Sequence, residues 1–396
     1  MEGLGEMTSE IIPPLASATD RPAVFRPLSV QREHAEGMYL ATLQGSLVRE
    51  MHLTLVPKEA ETLEALIGRL AEFLKSHHLT VLRQFVFGSV AAYPRALRVL
   101  RRMLGEVDWP ITWVEGGGCS GSPIGGIQIH AVAGAHVRTL AQNGRIVGRI
   151  FDDGQAQHCV LGDLGPTRPA LSATDQVRET FENLEAALAV AGMNFKDMAR
   201  TWLFLDDILS WYGPFNAVRN EFFARNELRP GSFPASTGVS GKNPRGTALV
   251  AGAWAVRPHQ PAAHLRIVPS PKQCPAPAYG SAFSRAVEIG SPQHRIVLVS
   301  GTASIAPDGR TLHVRDIRRQ IDLTMEVVSA ILMSRSCGFA DVIRATAYFK
   351  SPADAPLFRE WCARNGLEEM PVVSAHCDIC RDDLLFEIEL DALNLC

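Results

Sequence analysis

Val81-Leu82-Arg83-Gln84-Phe85-Val86-Phe87, Met198-Ala199-Arg200-Thr201-Trp202-Leu203-Phe204 and Val342-Ile343-Arg344-Ala345-Thr346-Ala347-Tyr348 are one pattern written three times. Each opens with an apolar pair, places an arginine third, and continues as a β-branched and aromatic run that suits a strand. An amphipathic helical stretch precedes each copy (61–74, 181–191 and 323–333), the last two through Gly192 and Gly338. A second helical stretch (95–104, 215–223 and 355–362) and a β-rich closing segment (127–132, 248–256 and 384–390) follow each. A repeat of this length means one supersecondary unit used three times.

Helices alternating with strands predict an α/β (α+β) fold in which each helix pair covers one face of a mixed sheet. The other faces are expected to pack around a pseudo-threefold axis, as in a cyclic trimer whose subunits have been joined. A chain of 396 residues suits several such units at ~100 to 200 residues per domain. Residues 1–20 lack any period and read as a disordered tail. The expected units are 21–135, the most degenerate, then 136–258 and 275–396. The proline-rich stretch 259–274 reads as a linker.

Hydrophobic residues make up 46% and charged residues 20%, enough apolar material for packed cores. The net charge of -3 is spread without a basic block, which argues against a nucleic-acid partner. No apolar run reaches the ~18 to 20 residues of a membrane span, and no signal-like segment opens the chain, so no membrane partner and a cytoplasmic location are expected. The eight cysteines are dispersed as free thiols usually are; Cys377 and Cys380 form the C-x-x-C, without the second pair a zinc site would need. The glycine-rich run 116–121 lacks the Lys-Ser/Thr of a phosphate loop and reads as a loop facing another unit.

The stretch Pro277-Ala278-Tyr279-Gly280-Ser281-Ala282-Phe283-Ser284-Arg285-Ala286 and the later Val297-Leu298-Val299-Ser300-Gly301-Thr302 resemble the opening hairpin of the Rid (YjgF-like) superfamily. Arg200 to Ile208, Trp211 to Arg219, Ala235 to Gly238, Ser300 to Ile305 and Cys380 to Glu389 are together similar to the chorismatases, a branch of that superfamily. The likeness runs from about Arg145 to the C-terminus; before it, the link rests on the repeat. The resemblance implies a secondary-metabolic lyase or hydrolase that cleaves the enolpyruvyl ether of chorismate without metal or cofactor. The packing of three units in one chain predicts a monomer with internal pseudo-threefold symmetry. Rid deaminases read a substrate carboxylate with a Pro-x-Arg-Ser motif; Pro371-Val372-Val373-Ser374 and Pro234-Ala235-Ser236-Thr237 stand in its place here.

Cleaving an enol ether needs an acid that stays protonated at neutral pH beside the terminal methylene. Glu387 and Glu389, two apart on a strand, share a face about 7 Å apart, and burial of that face would raise at least one pKa. The resemblance assigns the proton transfer to Glu387. The bland reading is a solvated strand face carrying Leu385, Glu387, Glu389 and Asp391. Cys380, seven residues before Glu387, matches the cysteine of the 3-hydroxybenzoate-forming branch; otherwise it is one more small buried hydrophobe. The dianionic substrate calls for arginines, and Arg149, Arg219, Arg285 and Arg381 fall in the matching stretches. Tyr212, seven before Arg219 on one helix face, would hydrogen-bond a hydroxyl or carboxylate, and Gly301 and Thr302 would offer backbone N–H groups to a carboxylate. Each of these also reads as an ordinary ion pair, core tyrosine or tight turn. The competing functions are a dihydroxycyclohexadienoate-forming chorismate hydrolase, an imine or enamine deaminase, and a non-catalytic binding protein.

Overall fold

The computed structural model describes residues 9–12, 28–119 and 121–396. Strand β1 (Ser9–Ile12) comes first, then β2 (Ser29–Ala35), β3 (Met38–Gln44), β4 (Arg49–Leu55), α1 (Leu63–His77), β5 (Thr80–Gly88), α2 (Tyr93–Leu104), β6 (Ile111–Val114) and β7 (Ile124–Ala133). The second unit holds β8 (Arg138–Gln142), β9 (Arg145–Asp152), β10 (Ala156–Leu164), α3 (Ala173–Val190), β11 (Met198–Leu205), α4 (Ile208–Arg225), β12 (Ala235–Ser240) and β13 (Leu249–Pro258). The third holds β14 (His264–Val268), β15 (Ala286–Gly290), β16 (His294–Ala303), α5 (Ile317–Met333), β17 (Val342–Phe349), α6 (Ala355–Arg364), β18 (Val372–His376) and β19 (Phe386–Leu395).

The three sheets have one topology: β2-β3-β4-β7-β5-β6, β8-β9-β10-β13-β11-β12 and β14-β15-β16-β19-β17-β18, with β1 added at the edge of the second. In each the last pair is parallel and the rest antiparallel, because the helix between the last two strands returns the chain in the same direction. Two expectations change here. Part of the supposed tail, Ser9–Ile12, pairs antiparallel with β8, and the supposed linker contains β14, an edge strand paired with β15. Pro261 and Pro269 bracket β14, as prolines can at a sheet edge where an N–H is dispensable.

The apolar pair before each arginine has a structural reason. The register slips by one residue between Val81 and Arg83, Met198 and Arg200, and Val342 and Arg344, the mark of a β-bulge. The first residue of each pair therefore packs under its own helices, while Leu82, Ala199 and Ile343 join the core shared by all three sheets. That shared core carries Phe85, Phe87, Trp202, Phe204, Trp254 and Tyr348.

The bulge also aims the three equivalent arginines at one another, all buried. Glu389 accepts hydrogen bonds from Arg200, Arg344, the Trp202 indole (2.7 Å) and the Thr237 hydroxyl (2.7 Å), and Asp391 pairs with Arg344 at 2.9 Å. Arg83 lies 3.8 Å over the Trp202 ring. Burial, then the Arg344 charge, brings its pKa down to about 9. Among the described residues no helix is long and apolar enough to cross a membrane.

Candidate active site

Where β12 and α4 of the second unit meet β16 and β19 of the third, a cleft of about 240 Å³ opens, lined by Tyr212, Asn216, Tyr279, Arg285, Gly301, Cys380, Arg381 and Glu387 among others. Glu387 lies on β19 opposite Tyr348 and Ala303, and is 5% exposed. Glu389 and Asp391, on the same strand face, are fully buried, so this face is an inner one and not the solvated strand of the bland reading.

The two glutamates titrate in opposite directions for reasons visible in their neighbours. Burial, and then repulsion from Glu389, pushes Glu387 up to about 8, against the weaker pull of Arg200 and Arg285. Burial acts on Glu389 too, but Arg344, Arg200 and the Thr237 hydrogen bond outweigh it and hold it near 2. One carboxyl is therefore a neutral acid at pH 7 and its neighbour a fixed anion, the division of roles that acid catalysis requires.

The loop between strand and acid is shaped for that carboxyl. The register of β16 slips between Val299 and Thr302, and a Cβ at Gly301 would overlap the Glu387 carboxylate. Glycine is thus the residue that leaves the acid its space. The Gly301 N–H donates to the Thr237 hydroxyl at 3.1 Å, so it ties the second unit to the third and is not free for a carboxylate. Thr302, after the slip, turns away: its buried hydroxyl donates to the Ser300 carbonyl at 2.8 Å.

Tyr212 and Arg219 both sit on α4 beyond a break at Trp211 (φ -146, ψ 17), with Pro214 inside the helix. Arg219 is buried, shares a hydrogen bond with Tyr212, and has its Nε and Nη2 without hydrogen-bond partners. Burial lowers its pKa and raises that of Tyr212. Arg285 donates through Nε and Nη2 to the Cys274 carbonyl (3.0 and 2.9 Å), and Arg381 through Nη1 to the Gly309 carbonyl (2.7 Å). Both guanidiniums lie 5.4 Å over the Tyr279 ring. Cys380 lines the cleft, and burial with the nearby Glu387 pushes its thiol up to about 12, leaving it protonated.

Arg149 is elsewhere. It lies on β9, where its Nη1 donates to Thr139 at 2.7 Å and its Nη2 pairs with Asp108 at 2.9 Å, stitching the first unit to the second. Tyr279 and Asn216 were not singled out by sequence reasoning, although both stand inside stretches that carry the resemblance. The Asn216 Oδ1 is buried without a partner. The described residues that group as metal ligands are Glu50, His52 and His130; they are buried in the first unit, where both imidazoles meet the Glu50 carboxylate (3.1 and 2.7 Å), and do not line the cleft.

Comparison with known proteins places these features. The chain is 28% identical over 265 residues to a 3-hydroxybenzoate synthase of Streptomyces hygroscopicus, covering 60% of this chain and 74% of that protein. It is 26% identical to a chorismatase of the same organism over 48% of this chain and 60% of that one. A solved chorismatase shares the fold at a TM-score of 0.58 and 20% identity, over 79% of this chain and 93% of the other. The endoribonuclease L-PSP family model matches residues 162–244 and 274–394, just over half of the chain and both walls of the cleft. With the repeated sheet-and-helix unit as its structural counterpart, this match makes the chain a member of the endoribonuclease L-PSP family, the Rid or YjgF-like proteins.

Proposed function

We propose that the cleft cleaves the enolpyruvyl ether of chorismate, giving pyruvate and a hydroxybenzoate, with 3-hydroxybenzoate the favoured product. The observation that carries this reading is the neutral Glu387 carboxyl, held at a pKa of about 8 in a cleft with Arg285 and Arg381 on its walls. Glu387 gives its proton to the terminal methylene carbon. Attack of the adjacent ring hydroxyl then breaks the bond between ring carbon and ether oxygen, and pyruvate leaves. The carboxylate left behind takes up the hydroxyl proton, and the ring aromatises. The fixed charge of Glu389 favours reprotonation for the next turnover.

The arginines and Tyr212 supply donors for two carboxylates and a ring hydroxyl. Arg219, with unfilled donors beside Tyr212, is the strongest candidate for a buried carboxylate partner. The 3-hydroxybenzoate route divides the atoms of chorismate between two products and consumes no water, whereas the dihydrodiol route adds one. Cys380, as a neutral thiol on the wall, supports the first route by its position, and the names of the two Streptomyces relatives support the substrate class.

The test is to incubate the purified chain with chorismate, measure pyruvate, and identify the ring product by chromatography. Pyruvate together with 3-hydroxybenzoate is expected. Pyruvate with a dihydrodiol would move the product assignment, and no pyruvate with turnover of imino acids would replace the reaction by deamination.

A further inference from the structure

Because the three sheets share one register, each position of the cleft has a counterpart in the other units. Glu387 pairs across the sheet with Tyr348, four residues beyond Arg344; Gly126 pairs with Phe87, four beyond Arg83. Cys380 stands seven residues before Glu387, and Cys119 seven before Gly126. Leu40 pairs with Leu53 and through it with Ile129, as Ala286 pairs with Val299 and through it with Leu390, so Tyr39 occupies the place of Arg285.

Two of these counterparts, Tyr39 and Cys119, line a second cavity, of about 430 Å³, where β18 and α6 of the third unit meet the first unit, and Gly125, the neighbour of Gly126, lines it too. Its walls include Tyr39, Val56, Cys119, Phe358, Cys362 and Val372. The cavity thus lies at the equivalent place between units but is larger than the first cleft, and the reacting groups are missing from it. The acid is gone, and a Cβ at Gly126 would run into Val373, so no carboxyl can occupy that position. The arginine is now an aromatic ring. Arg359 and Glu368 are the charged residues lining this cavity, one of each sign, where the first cleft has two arginines and a neutral acid. Apolar walls with a single cation favour a ring bearing one carboxylate over a dianion.

We propose that this cavity is a second, non-catalytic site for a small aromatic monocarboxylate, its ring against Tyr39, Phe358 and Val372 and its carboxylate at Arg359. The choice of ligand class rests on the proposed reaction, whose product is such an acid. The binding test does not require turnover.

The two sister cysteines report the two clefts separately. The full chain is labelled with iodoacetamide at alkaline pH, with benzoate as probe, and each cysteine is read by mass spectrometry with the exposed Cys396 as internal reference. Labelling of Cys119 is expected to slow by about tenfold once benzoate reaches about ten times its dissociation constant. Val372→Phe, which fills the cavity, should abolish that protection and leave Cys380 labelling unchanged. Arg359→Ala alters an exposed residue, so it keeps the test sound should the first variant fail to fold, and it is expected to weaken protection of Cys119 alone by about tenfold. Equal labelling of Cys119 with and without benzoate, or protection left undiminished by Arg359→Ala, would overturn the site. Chorismate turnover with unprotected Cys119 would sink this inference and spare the reaction; protection without turnover would do the reverse.

Discussion

A carboxyl that titrates at 4.5 in the unfolded chain and at about 8 in the folded one holds an extra proton between those values only when the protein is folded. Stability therefore falls as pH rises through that window, by an amount on the order of a few kcal/mol for this group. Glu387→Gln removes the titration, so the variant's Tm should vary less between pH 5 and about 8 than that of the parent chain. The same substitution should lower the rate of pyruvate release by about 10²- to 10⁴-fold, the usual contribution of a general acid. In the parent chain, activity should decline above pH 8 as Glu387 loses its proton; a flat profile to pH 10 would show that another group supplies it. Gly301→Ala tests the space reserved for the acid: its methyl group meets the carboxyl, and activity should fall even though the substitution is small.

At the level of elements, the break in α4 positions Tyr212 and Arg219. The Trp211 indole donates to the Asp206 carbonyl at 2.7 Å and packs edge-on against Phe215. Trp211→Phe keeps a ring there but loses the hydrogen bond, at about 1 kcal/mol, and should raise KM about fivefold with little change in kcat. Strands β5, β11 and β17, inside the sheets, were legible because apolar pair, arginine and aromatic run recur in each copy. Helix starts were less so: α3 begins at Ala173 and α5 at Ile317, capped by the Ser172 and Asp316 side chains, well before the stretches read from apolar spacing. The early inward face of α3 is polar, with Gln176, Glu179 and Thr180 buried in hydrogen bonds, which hides its periodicity. Strand β1 has four residues at an edge and depends on β8 for its hydrogen bonds, so nothing local marks it. Of the residues chosen for the site, Glu387 on β19, Cys380 and Arg381 before it, Tyr212 and Arg219 on α4, Arg285 before β15 and Gly301 on β16 converge. Arg149 and Thr302 do not, because a motif shows that a residue stands in the right segment and not which side of the strand it faces.

The charges at the centre set the behaviour of the whole molecule. Glu389 neutralises arginines from two units, and truncating one member of such a buried network leaves unpaired charge at about 3 to 5 kcal/mol. Glu389→Gln should therefore lower Tm by several degrees. In whatever fraction folds, it should also shift the alkaline limb of the activity profile to lower pH, because the repulsion that raises Glu387 is gone while Arg200 and Arg285 remain. A Tm loss without that pH shift would separate the structural role of Glu389 from its electrostatic one.

The meeting point of Arg83, Arg200 and Arg344 also explains what covalent fusion makes possible. A ring of identical subunits must repeat every axial substitution three times, so a glutamate at the Glu389 position would bring three anions together and a tryptophan at the Trp202 position three indoles. One continuous polypeptide writes each of these once, and the centre can be filled by unlike residues that complement each other. Deep mutational scanning should accordingly find the three repeats unequal: exchange of a central side chain for its counterpart in another copy will be tolerated far less than the common strand order suggests.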